Sequence, residues 1–236
     1  MIPPAPQRPA DPPTAEGRGA IAFLHTARAH VATFEELVAE LGSEVPRRHV
    51  VEPGLLAEAR TAGVTTALEA RVRAVVEEAA AGGASVVVCT CSTIGACAEA
   101  VTGPGFTAMR IDRPMAEAAV RTGPRIAVVA ALASTVGPTR ALLLDAASRA
   151  GVQVAVTDVA CEDAWPRFEA GDVAGYLAIV ARTISHAAAG ADVVVLAQAS
   201  MAGAAALCRA SVPVLASPRL GVEAALRIWR ARGPRP

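Results

Sequence analysis

The triplet Cys91-Ser92-Thr93 is the sharpest chemical feature of the chain. It follows three valines, Val86 to Val88, and precedes an Ala-rich stretch with helical spacing. A thiol in such a strand-to-helix turn lies near free backbone N–H groups and the positive end of a helix dipole, which favour its thiolate. A thiolate can serve as a base or as a nucleophile. The same N–H groups, with the hydroxyls of Ser92 and Thr93, suit a substrate carboxylate. A similar segment recurs later: Asp192 to Leu196 reads DVVVL and runs into Ala197-Gln198-Ala199-Ser200. Gln198 and Ser200 can hydrogen-bond a carboxylate or an amide but cannot act as acids or bases near neutral pH. His25 and Thr26 stand at the end of the apolar run AIAFL and are candidates to face a ligand. His30, His49 and His186 read as packing or surface residues. Ser217-Pro218-Arg219 reads either as an arginine offered to an acidic substrate or as a helix start with proline in its first turn.

Positioning these groups takes strands that end in loops at one edge of a sheet. Eight short apolar runs alternate with helical patterns. The runs are Ala20 to Leu24, Arg48 to Val51, Ser85 to Cys89, Phe106 to Ile111, Arg125 to Ala131, Val152 to Val159, Asp192 to Leu196 and Val212 to Ala216. Helical spacing covers Phe34 to Leu41, then Leu55 to Ala81 with a break near Gly63, then Ile94 to Val101, Thr139 to Ala150, Tyr176 to Ala189, Ala202 to Arg209 and Val222 to Arg232. Alternation of this kind predicts an α/β fold with parallel strands. The early runs IAFLHT and IAVVAALAST also look alike, and the two similar pairs are separated by nearly equal lengths of chain. The chain therefore reads as two pseudo-symmetric α/β halves facing one cleft, with ligands expected at the carboxyl ends of the strands. The expected domains are 19–111 plus 215–236 and 112–214. Residues 1–18, rich in proline and lacking an apolar core segment, read as a flexible tail and not as a signal peptide.

Composition narrows the chemistry. The chain has 236 residues, of which 53% are hydrophobic and only 3% aromatic, so its core must be built from Ala, Val, Leu and Ile. All 22 basic residues are arginine. A pyridoxal phosphate enzyme, a Walker A nucleotide site, a class I aldolase and a biotin carrier each need a lysine, and all four are excluded. The zero formal charge argues against nucleic acid as a partner. No G-x-G-x-x-G follows a strand, and no apolar run approaches the ~18 residues that span a bilayer, so no membrane partner is expected. Five cysteines without ligand-like spacing read as reduced thiols of a cytoplasmic protein with no metal site.

The Cys91-Ser92-Thr93 turn after three valines resembles the Cys-Asn-Thr turn of the aspartate/glutamate/hydantoin racemase superfamily, which includes maleate isomerase and arylmalonate decarboxylase. The two-half organisation is similar to that family's pair of domains. The resemblance implies further site residues: Ser134 and Thr135 in the loop that opens the second half, and His25 and Thr26 in the first. It implies a small-molecule carboxylate substrate, no cofactor and a homodimer. The family's racemases use two cysteines, one on each face of the substrate carbon. Gln198 falls on the second cysteine position, and Cys208 lies about two helical turns further on, so the resemblance implies Cys91 as the single catalytic residue. Ser92, Thr93, Gln198, Ala199 and Ser200 complete the expected substrate contacts. The expected activity is cofactor-independent chemistry at the carbon α to a carboxylate: racemisation, isomerisation or decarboxylation. Binding of a small anion without catalysis is the alternative.

Overall fold

The computed structural model describes residues 19–232; the proline-rich segment 1–18 lies outside them. Eight strands form two four-stranded sheets, all parallel. The first holds β1 (Ala20–His25), β2 (Arg47–Val51), β3 (Ala84–Cys89) and β4 (Thr107–Arg110), in the order β2-β1-β3-β4. The second holds β5 (Arg125–Ala130), β6 (Ala155–Ala160), β7 (Val193–Leu196) and β8 (Val214–Ala216), in the order β6-β5-β7-β8. The strand order is the same in both, so the internal repeat read from the sequence is a repeat of topology. In each sheet the chain leaves the first strand on one side and returns on the other. That creates a crevice at the carboxyl ends of β1 and β3, and of β5 and β7, where ligands bind in open parallel sheets.

The central strands β1, β3, β5 and β7 read as apolar runs because helices cover both faces. Ile21, Phe23, Val86 and Val88 pack against Phe34 and Val38 of α1 (His30–Gly42) and Val222, Leu226 and Trp229 of α9 (Ser217–Ala231). The alternate residues Ala22, Leu24, Val87 and Cys89 pack against Leu55 and Ala59 of α2 (Pro53–Ala62) and Leu68, Val72 and Val76 of α3 (Thr66–Ala81). The break near Gly63 is real. Gly63 closes α2 with φ 74°, which favours glycine, and the Thr65 side chain caps α3 by accepting from Leu68 N at 3.2 Å. The second sheet is covered in the same way, with α5 (Arg113–Thr122) and α6 (Ala133–Ala150) on one face and α8 (Val173–Ala187) on the other.

Three differences from the expected elements matter for the site. No helix was expected between Ile111 and Arg125, yet Arg113 and Pro114 begin α5, whose Met115, Ala116, Ala119 and Val120 are buried. The helix after β5 starts at Ala133, not Thr139, so Ser134 and Thr135 lie in its first turn. A short helix, α7 (Trp165–Glu169), was not expected at all. The last strand, β8, runs two residues beyond the expected domain boundary, and the chain then returns as α9 to the first half. α9 passes so close to β4 that a Cβ on Gly221 would sit 2.4 Å from the Ile111 carbonyl oxygen. No described helix is long and apolar enough to cross a membrane.

Candidate active site

The carboxyl ends of β1, β3, β5 and β7 converge on one cleft. The first half contributes Thr26, Ala27 and His30 after β1, Leu56 from α2, and Thr90, Cys91, Ser92 and Thr93 after β3. The second half contributes Leu132 and Thr135 at the start of α6, Trp165 from α7, and Gln198, Ala199 and Ser200 after β7. No Arg, Asp or Glu lines it. Its volume is ≈ 30 Å³, room for about two water molecules.

Cys91 follows β3 directly and is 8% exposed. Of the five thiols, it alone lines the cleft. Cys89 is buried in the core packed against α3, and burial pushes its thiol far up. Burial also pushes Cys161 up to about 11. Cys208, half-buried, donates to Ala205 O. The expected helix dipole at Cys91 is weak: α4 (Gly95–Glu99) has five residues and starts four positions later. The turn is held instead by a buried ion pair. Arg110 donates from Nε and Nη2 to the Asp112 carboxylate at 2.6 and 3.0 Å, and Nη2 also reaches the Ser92 carbonyl at 3.4 Å. Burial opposes the guanidinium charge, but the paired Asp112 outweighs it and holds Arg110 above its ordinary range. Gly95 leaves room for this side chain: a Cβ there would meet Arg110 Cβ and Nε at 3.1 Å.

The other expected residues divide into free and engaged groups. Gln198 Oε1 accepts from Ala131 N at 2.8 Å, which turns Nε2 away from that partner and leaves it buried without one. Thr93 Oγ1 is likewise buried and unpartnered. Ser92 Oγ donates to Ala197 O at 2.8 Å, tying the two turns together across the halves. Ser200 Oγ is bonded to the Tyr176 hydroxyl at 2.8 Å, and Thr135 Oγ1 donates to Leu132 O at 2.7 Å. Ser134, one helical position from Thr135, does not line the cleft. Arg219 pairs with Glu40 on α1 and also stands outside it, so the helix-start reading of Ser217-Pro218 holds.

His25 does not line the cleft either; it is turned into the core behind the Cys91 turn. Thr90 Oγ1 donates to Leu24 O at 3.1 Å and so accepts from His25 Nδ1 at 2.9 Å. That leaves His25 Nε2 to accept from His49 Nδ1 at 2.7 Å, and His49 Nε2 meets Glu35 at 3.0 Å. Burial, aided by the neighbouring His49 and His30, pushes His25 down to about 3. Burial pushes Glu35 upward, but Arg47 and His49 outweigh it and hold the carboxyl below its usual range.

Ala27, Leu56, Thr90, Leu132, His30 and Trp165 also line the cleft though none was expected there, and the last two bring polar groups to it. His30 is the first residue of α1, its Nδ1 buried and unpartnered, and burial pushes it down to about 4. Trp165 closes the second half's wall. Its Nε1 donates to Glu169 at 2.7 Å, and Glu169 pairs with Arg60 of α2 at 2.9 Å, so one cluster spans the two halves at the cleft. Among the described residues, no group of three or more His, Cys, Asp or Glu is placed to share a metal ion.

The sequence matches no protein-family model and no curated protein. The fold does match solved structures. Glutamate racemase from Francisella tularensis, in complex with D-glutamate, aligns with TM-score 0.66 at 11% identity, over 90% of this chain and 81% of its own. Picrophilus torridus aspartate racemase aligns with TM-score 0.65 at 11% identity, over 90% and 94%. Allantoin racemase from Pseudomonas fluorescens aligns with TM-score 0.57 at 19% identity, over 92% and 97%. The chain thus has the two-sheet fold of the aspartate, glutamate and allantoin racemases.

Proposed function

We propose that the protein is a cofactor-independent enzyme acting at the carbon α to the carboxylate of a small acid, with Cys91 as its acid–base group. The observation that carries this reading is the cleft itself. One thiol stands there beside two buried, unpartnered polar groups, Thr93 Oγ1 and Gln198 Nε2, at the convergence of four strand ends. Both groups can donate to a carboxylate. Cys91 as thiolate removes the α-proton: the C–H bond breaks, S–H forms, and the electron pair moves into the carboxylate as an enediolate. Donors already aimed at that carboxylate bind the added charge more strongly than the ground state, which is the differential stabilisation catalysis needs. The carboxylate would sit among neutral donors, since no Arg, Asp or Glu lines the cleft, and away from bulk water those bonds are stronger.

Racemisation or isomerisation is the reading favoured by the fold of the neighbours. Decarboxylation of a malonate-type acid is the second reading, and one observation favours it: only one thiol lines the cleft. Loss of CO2 leaves the same enediolate, and a single S–H then supplies the proton. Proton NMR in D2O with single enantiomers of aspartate and glutamate, with hydantoins and with substituted malonates separates the two. Loss of the α-proton signal with inversion supports racemisation, and release of CO2 supports decarboxylation. Binding without either would mark a small-anion-binding protein.

A further inference from the structure

We infer that the substrate is an amino acid with an apolar side chain, and that Leu56, Leu132 and Trp165 hold that side chain. The inference rests on the reading of Cys91 as the acid–base group and names the substrate class which that reading leaves open. It departs from the aspartate and the glutamate that name two of the fold neighbours.

A second carboxylate finds no counter-charge in the cleft. No arginine lines it. His30 is the one lining side chain that can become a cation, and burial keeps it neutral by pushing it down to about 4. The ion pairs that border the cleft are closed: Arg110 holds Asp112 behind the Cys91 turn, and Arg60 holds Glu169 beside Trp165. The charge the walls themselves can form is negative, the Cys91 thiolate, which repels a second carboxylate and attracts an ammonium. Donors are short as well. Thr93 Oγ1 and Gln198 Nε2, both buried and unpartnered, serve the α-carboxylate on the proposed reading. The hydroxyls of Thr90, Ser92 and Thr135 already donate to carbonyl oxygens, and Trp165 Nε1 donates to Glu169. A carboxylate buried with neither cation nor donors is strongly disfavoured.

The larger side chains left in the lining are apolar. Leu56 comes from α2 in the first half, and Leu132 and Trp165 come from the second. Leu56 and Trp165 are only partly buried by their own cores, so apolar surface is left for a ligand to cover. An α-ammonium completes the match. It complements the thiolate charge and makes the α-proton more acidic than that of a bare carboxylate.

Leucine, asparagine and aspartate test the inference, because their side chains share one shape and end in two methyl groups, an amide or a carboxylate. Each enantiomer is incubated with wild type in D2O, and loss of the α-proton is followed by NMR. The kcat/KM should fall in the order leucine, asparagine, aspartate, with leucine at least about 100-fold above aspartate. Aspartate equal to leucine or above it overturns the inference and leaves Cys91 in place. Leu56→Arg adds a cation to the wall and should move the ratio of aspartate to leucine at least about 10-fold toward aspartate. An unmoved ratio in the folded variant overturns the role of Leu56. A second arm needs no turnover. Iodoacetamide alkylates Cys91 with loss of iodide, and mass spectrometry of the Cys91 peptide gives the rate. Leucine should slow alkylation at a concentration about 100-fold below that needed with aspartate. If wild type exchanges none of the three and leucine alone protects Cys91, the acid–base reading fails and the selectivity stands. Equal protection by aspartate and leucine, or protection by neither, overturns the inference.

Discussion

At the carboxyl end of β3 stands Cys91; at the matching place in the second sheet, after β7, stands Gln198. The strand order around them is identical, yet the surroundings are not. The first half gathers a thiol, three of the chain's four histidines and a buried ion pair at the ends of its strands. The second half presents hydrogen-bonding and apolar groups: the amide of Gln198, the hydroxyls of Ser200 and Thr135, and the Leu132 and Trp165 side chains. On the proposed reading, the first wall would move protons and the second would hold the ligand.

The largest expected effect tests what supports the first wall. Replacing Arg110 with Met strands the Asp112 carboxylate, which is 1% exposed, and should cost about 3–5 kcal/mol in urea denaturation. Arg125→Met, which breaks the exposed Arg125–Asp192 pair in the second half, should cost far less. Equal losses would mean that the Cys91 turn does not depend on its buried pair.

The second wall is tested by Gln198→Glu. Glutamate keeps an oxygen to accept from Ala131 N but replaces the Nε2 donor with a negative oxygen. The KM for a carboxylate substrate should rise about 10-fold or more, and thermal stability should fall as well, because the new carboxylate is buried without a cation. An unchanged KM would show that the amide does not hold the ligand.

Acid should separate the halves next. His25 and His30 have folded values of about 3 and about 4, below the ordinary 6.5. The unfolded chain therefore binds more protons between these values. The stability the two residues contribute is present in full above pH 6.5 and is lost as pH falls toward 4 and then 3. The urea midpoint should drop between pH 7.5 and pH 4.5, less so in His30→Gln. Hydrogen exchange at pH 4.5 should rise first around β1 and α1.

Smallest is the effect at the tie between the walls. Arg60→Ala removes the partner of Glu169 and should speed alkylation of Cys91 up to about five-fold, because an exposed ion pair adds little to closure.

Much of this division was legible in the residues. The central strands β1, β3, β5 and β7 lie where near-unbroken apolar runs put them, because parallel strands buried on both faces need such runs, whereas the edge strands β2, β4 and β6 carry polar residues. The Cys91 and Gln198 turns were legible for the same reason: they end the two strongest runs. Side-chain direction was not. Every residue of β1 is buried, so no alternation tells which way His25 points. One helical position separates Thr135, on the cleft, from Ser134, off it. His30 and Trp165 reach the cleft only through packing between elements far apart in sequence. The α5 signal was present, with Pro114 at a helix start and buried residues spaced three and four apart, but the small Ala-rich segment gave no long apolar run to mark it.

The most direct measurement compares a thiol of each half. Wild type, Cys91→Ser and Cys208→Ser are incubated in D2O with the carboxylate found active, and deuterium at the α-carbon is followed by NMR. The account predicts that Cys208→Ser incorporates deuterium like wild type and that Cys91→Ser loses incorporation by at least about 100-fold for the enantiomer Cys91 faces. Full incorporation by Cys91→Ser with both enantiomers would contradict it.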